Sequence, residues 1–173
     1  MRSQSLTDAE VKKMKIKFFT TGGTIDKVYF DKKSDYQVGE PNIKSIIHEM
    51  NVAFEYEFES ILKKDSLDLT DADRQFIFDT ISSDEHQHII VTHGTDTMIQ
   101  TAQKLQMIPD KVIVLTGAIE PAGFKSSDAV FNIGTAIAAV QILLHGTYIA
   151  MSGCIFQPDR VRKNLKTNRF EEA

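Results

Sequence analysis

The chain has 173 residues, 42% of them hydrophobic and 25% charged, with a net charge of −4. That is long enough for one domain with its own core, offers no basic surface for nucleic acid or an anionic membrane, and contains no apolar run near the ~18 residues of a membrane span. A single cysteine, Cys154, excludes an internal disulfide and suits a reducing compartment.

Residues 1–14 are polar and lack the apolar core of a secretory signal, so they are expected to be an extension ahead of the domain of a cytoplasmic protein. "KIKFFT", Lys15–Thr20, predicts a buried first strand, and a polar loop follows to Pro41. "PNIKSIIHEM" predicts a short helix opened by Pro41. In "VAFEYEFESIL", Phe54, Tyr56 and Phe58 alternate with Glu55, Glu57 and Glu59, the pattern of a strand near a sheet edge with one exposed face. "TDADRQFIFDTIS" predicts a helix capped by Thr70 with Asp71 and Asp73 in its first turn. Strands are then expected in "HQHIIVTHG", "KVIVLTG" and "TYIAMSGCIF". Between them fall a helix in "TDTMIQTAQKLQM" and a long apolar one in "SSDAVFNIGTAIAAVQILLHG" closed by Gly146. Cys154, inside the last apolar strand, reads as a buried inert thiol.

Strands separated by helices predict an α/β fold of three layers, a mostly parallel, flavodoxin-like sheet with helices on both faces. Ligands of such sheets collect beyond the carboxyl ends of the strands, where the strand order reverses. Three segments lie there: "TTGGT", "THGTD" and "TGAIEP". Each sets glycine beside threonine, so backbone can approach a ligand closely while a hydroxyl stands ready as cap, contact or nucleophile. A nucleophilic hydroxyl needs a proton acceptor, for which a neutral lysine suffices. Asp96, at the expected start of a helix, suits either the helix dipole or a substrate ammonium. There is no Walker-type loop, no G-x-G-x-x-G and no G-x-S-x-G elbow. His86 and His88 share a strand face but have no third partner in view, and no metal is expected. His93 is expected to pack or to bond backbone.

"TGGTI" after the first strand and "HGTDTM" after a later one are the two signatures of the bacterial-type L-asparaginases and glutaminase-asparaginases, which the chain resembles from Lys15 to about Lys166. The resemblance implies an asparaginase N-terminal domain over 15–173, without the smaller C-terminal domain of the best-known members. It implies an amidohydrolase that releases ammonia from the side chain of L-asparagine through a threonine acyl-enzyme. Thr24 matches the nucleophile, Tyr36 the mobile-loop tyrosine that activates it, and Lys163 the lysine of a Thr-Lys-Asp triad with Thr95 and Asp96. Gly23, Asp65, Ser66, Gly94, Thr95, Asp96 and Ala118 match the substrate-binding positions. Leu67 departs from the pattern, standing where a polar substrate contact is common.

No cofactor is implied, and the partner expected is a small amide. The alternatives are a glutaminase or other small-amide hydrolase, a module that binds asparagine or aspartate without catalysis, and an amidotransferase component. The apolar helix before Gly146 carries more hydrophobic surface than one sheet contact needs, which predicts a homodimer or homotetramer.

Overall fold

The structure, a computed structural model, describes residues 14–30 and 35–173, with the side chains of residues 29, 30, 35 and 36 left out. The expected extension therefore lies outside the described residues except for Met14. Six strands form the main sheet: β1 (Lys15–Thr20), β4 (Glu55–Ser60), β5 (His88–Thr92), β6 (Val112–Thr116), β7 (Gly146–Met151) and β8 (Cys154–Phe156). Their order is β4-β1-β5-β6-β7-β8, and all neighbours are parallel except β7 and β8. The expected three-layer α/β fold is the one observed.

Alternation along the strands feeds two cores. Ile16, Phe18, Ile90, Val112 and Val114 face α1 (Ile43–Glu49) and α4 (Ala129–Ile142). Phe19, Ile89, Val91, Ile113 and Leu115 face α2 (Asp71–Ser83) and α3 (Met98–Leu105). Burial on both sides explains the unbroken apolar runs of β5 and β6 and the adjacent Phe18 and Phe19 of β1. β4 lies at the sheet edge, as its alternating pattern predicts. Thr70 caps α2 in a reciprocal box with Asp73, which satisfies two N–H groups that the first turn leaves open.

Four expectations are corrected. The loop before Pro41 contains a hairpin of β2 (Lys27–Phe30) and β3 (Asp35–Val38). The last predicted strand is two strands, because Ser152 and Gly153 both take positive φ, at 56° and 79°, and turn β7 back into β8. On that edge strand Cys154 is exposed, not buried. Finally, α4 ends at Ile142 with Leu143 already extended, so Gly146 opens β7 and does not close the helix. Beyond β8, β9 (Val161–Asn164) and β10 (Arg169–Glu172) form a second hairpin. Val161 and Phe170 anchor it in the core under α2 and α3.

Candidate active site

β1 has β4 on one side and β5 on the other, so the strand order reverses at β1. Thr20 and Thr92 lie side by side at the carboxyl ends of β1 and β5. The two loops that leave them are sewn together: Thr21 donates to the Thr92 carbonyl from its N–H at 3.1 Å and from its hydroxyl at 3.0 Å. At Gly23 (φ 97°) a Cβ would stand 2.4 Å from the Gly94 backbone, and at Gly94 one would stand 2.5 Å from Ser66 Oγ. Only glycine permits this approach of three loops. Gly23 leads into a 3-10 turn, Thr24–Asp26. Thr24 heads that turn, partly exposed, and its hydroxyl has no hydrogen-bond partner among the described residues.

Lys163 reaches this corner from β9. Phe170 stands opposite it on β10, and the burial of Phe170 and Val161 turns the same face of β9 inward. The ammonium donates to Thr95 Oγ1 at 2.8 Å and to Asp96 Oδ1 at 2.7 Å. Thr95 is buried, whereas the Asp96 carboxylate is 37% exposed. Asp96 does not cap α3. The helix begins at Met98 behind Thr97, and Thr97 sends its hydroxyl to the Ser66 carbonyl at 2.7 Å.

Asp65 and Ser66 follow β4 on the other flank. Asp65 accepts from the Leu67 N–H and pairs with Lys27 at 2.6 Å. Burial pushes its carboxyl up, but these bonds outweigh burial and leave the pKa below the usual carboxylate value. Ser66 is buried and its Oγ has no partner among the described residues, a polar atom beside Gly94. Ala118 is buried in a loop fixed by two side chains: Asp128 accepts from the Ile119 N–H at 2.9 Å, and Asn132 donates to the Gly117 carbonyl at 3.0 Å. Tyr36 is described through its backbone alone, opposite Tyr29 in the β2–β3 hairpin.

The structure thus brings Gly23, Thr24, Ser66, Gly94, Thr95, Asp96 and Lys163 to one strand-end corner, with Asp65 and Ala118 on the flanking loops. His93 is below it, fully buried between the Gly94 carbonyl at 2.7 Å and Thr101 Oγ1 at 2.9 Å. Burial lowers its pKa to about 4, so the ring is neutral at pH 7. His86 pairs with Asp84. Among the described residues, no three His, Cys, Asp or Glu are grouped to hold a metal ion.

Two residues escaped the sequence reading, Lys27 and Asp26. Only an Asp directly after "TGGTI", a charge inside an otherwise tight apolar turn, signalled the second. Burial raises the Asp26 carboxyl from 3.8 to about 6, against the opposing effect of the Asn42 N–H. An acid whose folded pKa is raised binds its proton more tightly when folded. Stability therefore falls as pH rises from about 4 to about 6 and stays low above. Asp26→Asn is expected to gain about 2–3 kcal/mol above that window, less the cost of its buried amide N–H groups, and nothing below it. Urea unfolding at about pH 4 and about pH 8 measures this. An equal effect of the variant at both pH values would refute it.

Residues 15–171 match the family described as "Asparaginase, N-terminal". A glutaminase-asparaginase of Acinetobacter glutaminasificans is 34% identical over 119 residues, 65% of this chain and 35% of that protein. L-asparaginase 2 of Bacillus subtilis is 29% identical over 169 residues, 88% of this chain and 44% of its own length. Among solved structures, the thermostable L-asparaginase from Thermococcus kodakarensis superposes with a TM-score of 0.79 at 28% identity, covering 92% of this chain and 51% of that one. The chain thus spans about half the length of that neighbour and less of the curated relatives.

Proposed function

We propose, because the chain belongs to the asparaginase N-terminal family, that it is an amidohydrolase converting the side-chain amide of L-asparagine to L-aspartate and ammonia. The observation that carries this reading is the Lys163 ammonium held between Thr95 Oγ1 and Asp96 Oδ1 at the strand ends where the Thr24 loop also closes. In the first half-reaction Thr24 Oγ attacks the amide carbon, and its proton passes by way of Thr95 to Lys163 in its neutral amine form, which hands it to the departing nitrogen. Ammonia leaves and an ester remains on Thr24. In the second, water attacks the ester, its proton returns to Thr24 Oγ by the same pair, and aspartate is released. Backbone N–H groups of the Gly94–Asp96 loop are the oxyanion donors in this scheme. Tyr36 serves as the activating tyrosine from the hairpin, Asp96 as the partner of the substrate ammonium, and Asp65, Ser66, Gly23, Gly94 and Ala118 as the walls of the substrate site.

A second reading, a glutaminase or hydrolase of another small amide, is favoured by Leu67, which is 72% exposed beside Ser66 and gives the rim no polar contact. An ammonia-release panel with L-asparagine, L-glutamine and both D-isomers tests the two. Release from glutamine alone would replace the first reading with the second, and no release from any of them would leave a binding module.

The assembly belongs to the same proposal. Val130, Phe131 and Ile142 on α4 are 48%, 62% and 76% exposed, which supports a homodimer or homotetramer built on that helix. Light scattering should give at least twice the chain mass, and Phe131→Asp should lower it to that of the monomer. A stable wild-type monomer at working concentration would end this reading. No helix among the described residues is long and apolar enough to cross a membrane. The lone cysteine supports the cytoplasmic location.

A further inference from the structure

Asp26 is 1% exposed, two residues past Thr24 in the same 3-10 turn, and has no part in the displacement itself. Its Oδ1 accepts from the Asn42 N–H at 2.8 Å, while Oδ2 has no partner among the described residues. A carboxylate left half satisfied in the interior is expensive, and a neutral side chain would fold more easily. The Asp26 N–H donates to the Gly23 carbonyl at 3.1 Å, while its carboxylate and carbonyl both bond one short segment. The Asp26 carbonyl accepts from Gly39 at 2.6 Å, where the β2–β3 hairpin ends. Asn42, which holds Oδ1, also donates from Nδ2 to the Ile25 carbonyl at 3.0 Å. Ala122 donates to that same carbonyl at 3.1 Å from the loop beyond Ala118. The turn that presents Thr24 is clamped between the hairpin base, the approach to α1 and this loop.

We propose that Asp26 is a positioning residue for the nucleophile: its ionised carboxylate clamps the Thr24 turn to the Gly39–Asn42 segment and holds the hydroxyl at reacting distance. The inference rests on the threonine-nucleophile reading above. A carboxylate takes the Asn42 N–H in a charge-assisted bond that the protonated acid cannot match, so protonation loosens this one tie on the turn even as it relieves the buried charge. Displacement of a reacting group by ~1 Å is enough to cost about 10²-fold in rate. Among the described residues, the charged groups that bear on Asp26 are Lys63, which favours its ionised form, and Glu40, which opposes it. The two are paired with each other at 2.7 Å on the surface. Because burial sets the acid's midpoint at about 6, the change of state falls within a workable pH range.

The test compares the full chain with Asp26→Asn and Asp26→Ala between about pH 5 and about pH 9, by ammonia release and by NMR of the Thr24 methyl and amide. In the wild type, the Thr24 signals should shift with a midpoint near 6, and kcat should fall along the same limb at unchanged KM. Both variants should lose that limb and run at least about tenfold below the wild-type plateau. The alanine variant gives the same answer if the asparagine variant does not fold. Wild-type Thr24 signals that stay flat through this range overturn the proposal, as does a folded variant with wild-type kcat and an intact limb. A wild type that releases no ammonia removes the enzymatic reading, and the Thr24 titration then decides the Asp26 proposal by itself.

Discussion

Thr24→Ala should lower ammonia release by on the order of 10³-fold or more while leaving the protein as stable as the wild type. The loss is large because the attacking oxygen itself is removed, and with it the ester route. Stability should change by no more than about 0.5 kcal/mol, since the Thr24 hydroxyl has no hydrogen-bond partner among the described residues and the side chain is partly exposed. The combination is the diagnostic. A core threonine would lose stability and activity together, whereas this one should lose activity alone. Thr24→Ser keeps the oxygen and should keep measurable turnover. Wild-type ammonia release from folded Thr24→Ala, verified by its melting temperature, would take the residue out of the mechanism.

The second large effect is expected at Lys163. Lys163→Met removes the group between Thr95 and Asp96, so a proton leaving Thr24 has no acceptor. A fall of about 10²–10⁴-fold is the usual cost of a missing acid–base partner. Lys163→Arg should fare little better, because guanidinium stays protonated and its planar fork does not reproduce two single bonds at 2.8 and 2.7 Å. Thr95→Val should lose activity to a similar degree, since it removes the oxygen through which the ammonium reaches the crevice. The measurement is kcat against pH for each variant. Full activity in Lys163→Arg with an unchanged profile would make the cation an electrostatic anchor and end the triad reading.

Where local chemistry decides structure, the sequence was explicit. The apolar run of β1, the alternation of β4 and the Thr70–Asp73 box each state their element within a few residues. Elsewhere the signal was weaker than its surroundings. Ser152-Gly153 is a turn pair, but flanking apolar residues on both sides read as one continuous strand. The β9–β10 hairpin turns on Asn164, whose side chain accepts from the Lys166 and Thr167 N–H groups, and on Asn168 at φ 49°. Neither departure has an apolar period to mark it. At the site, glycine-threonine loops after strands were legible as places for a ligand. That Lys163 would meet Thr95 was not, because the contact depends on Val161 and Phe170 docking a hairpin far along the chain. Only the family resemblance supplied that pairing. Neither spacing nor resemblance pointed to the Lys27–Asp65 pair or the buried Asp26.

The placement of β1 between β4 and β5 has a thermodynamic consequence of its own. β1 precedes both partners in the chain, pairing Ile16 with Tyr56 on one side and with His88 on the other, so each contact closes a long loop. If β1 detaches, β5, β6, β7 and β8 can stay paired with α3 and α4 still packed on them. The Thr24 turn, however, leaves with β1, and the close approach of Gly23 to Gly94 is lost. The proposed active corner thus disappears at the opening free energy of one strand, which is bounded above by that of the whole domain. On heating or in denaturant the proposed activity should therefore be lost no later than the helical signal.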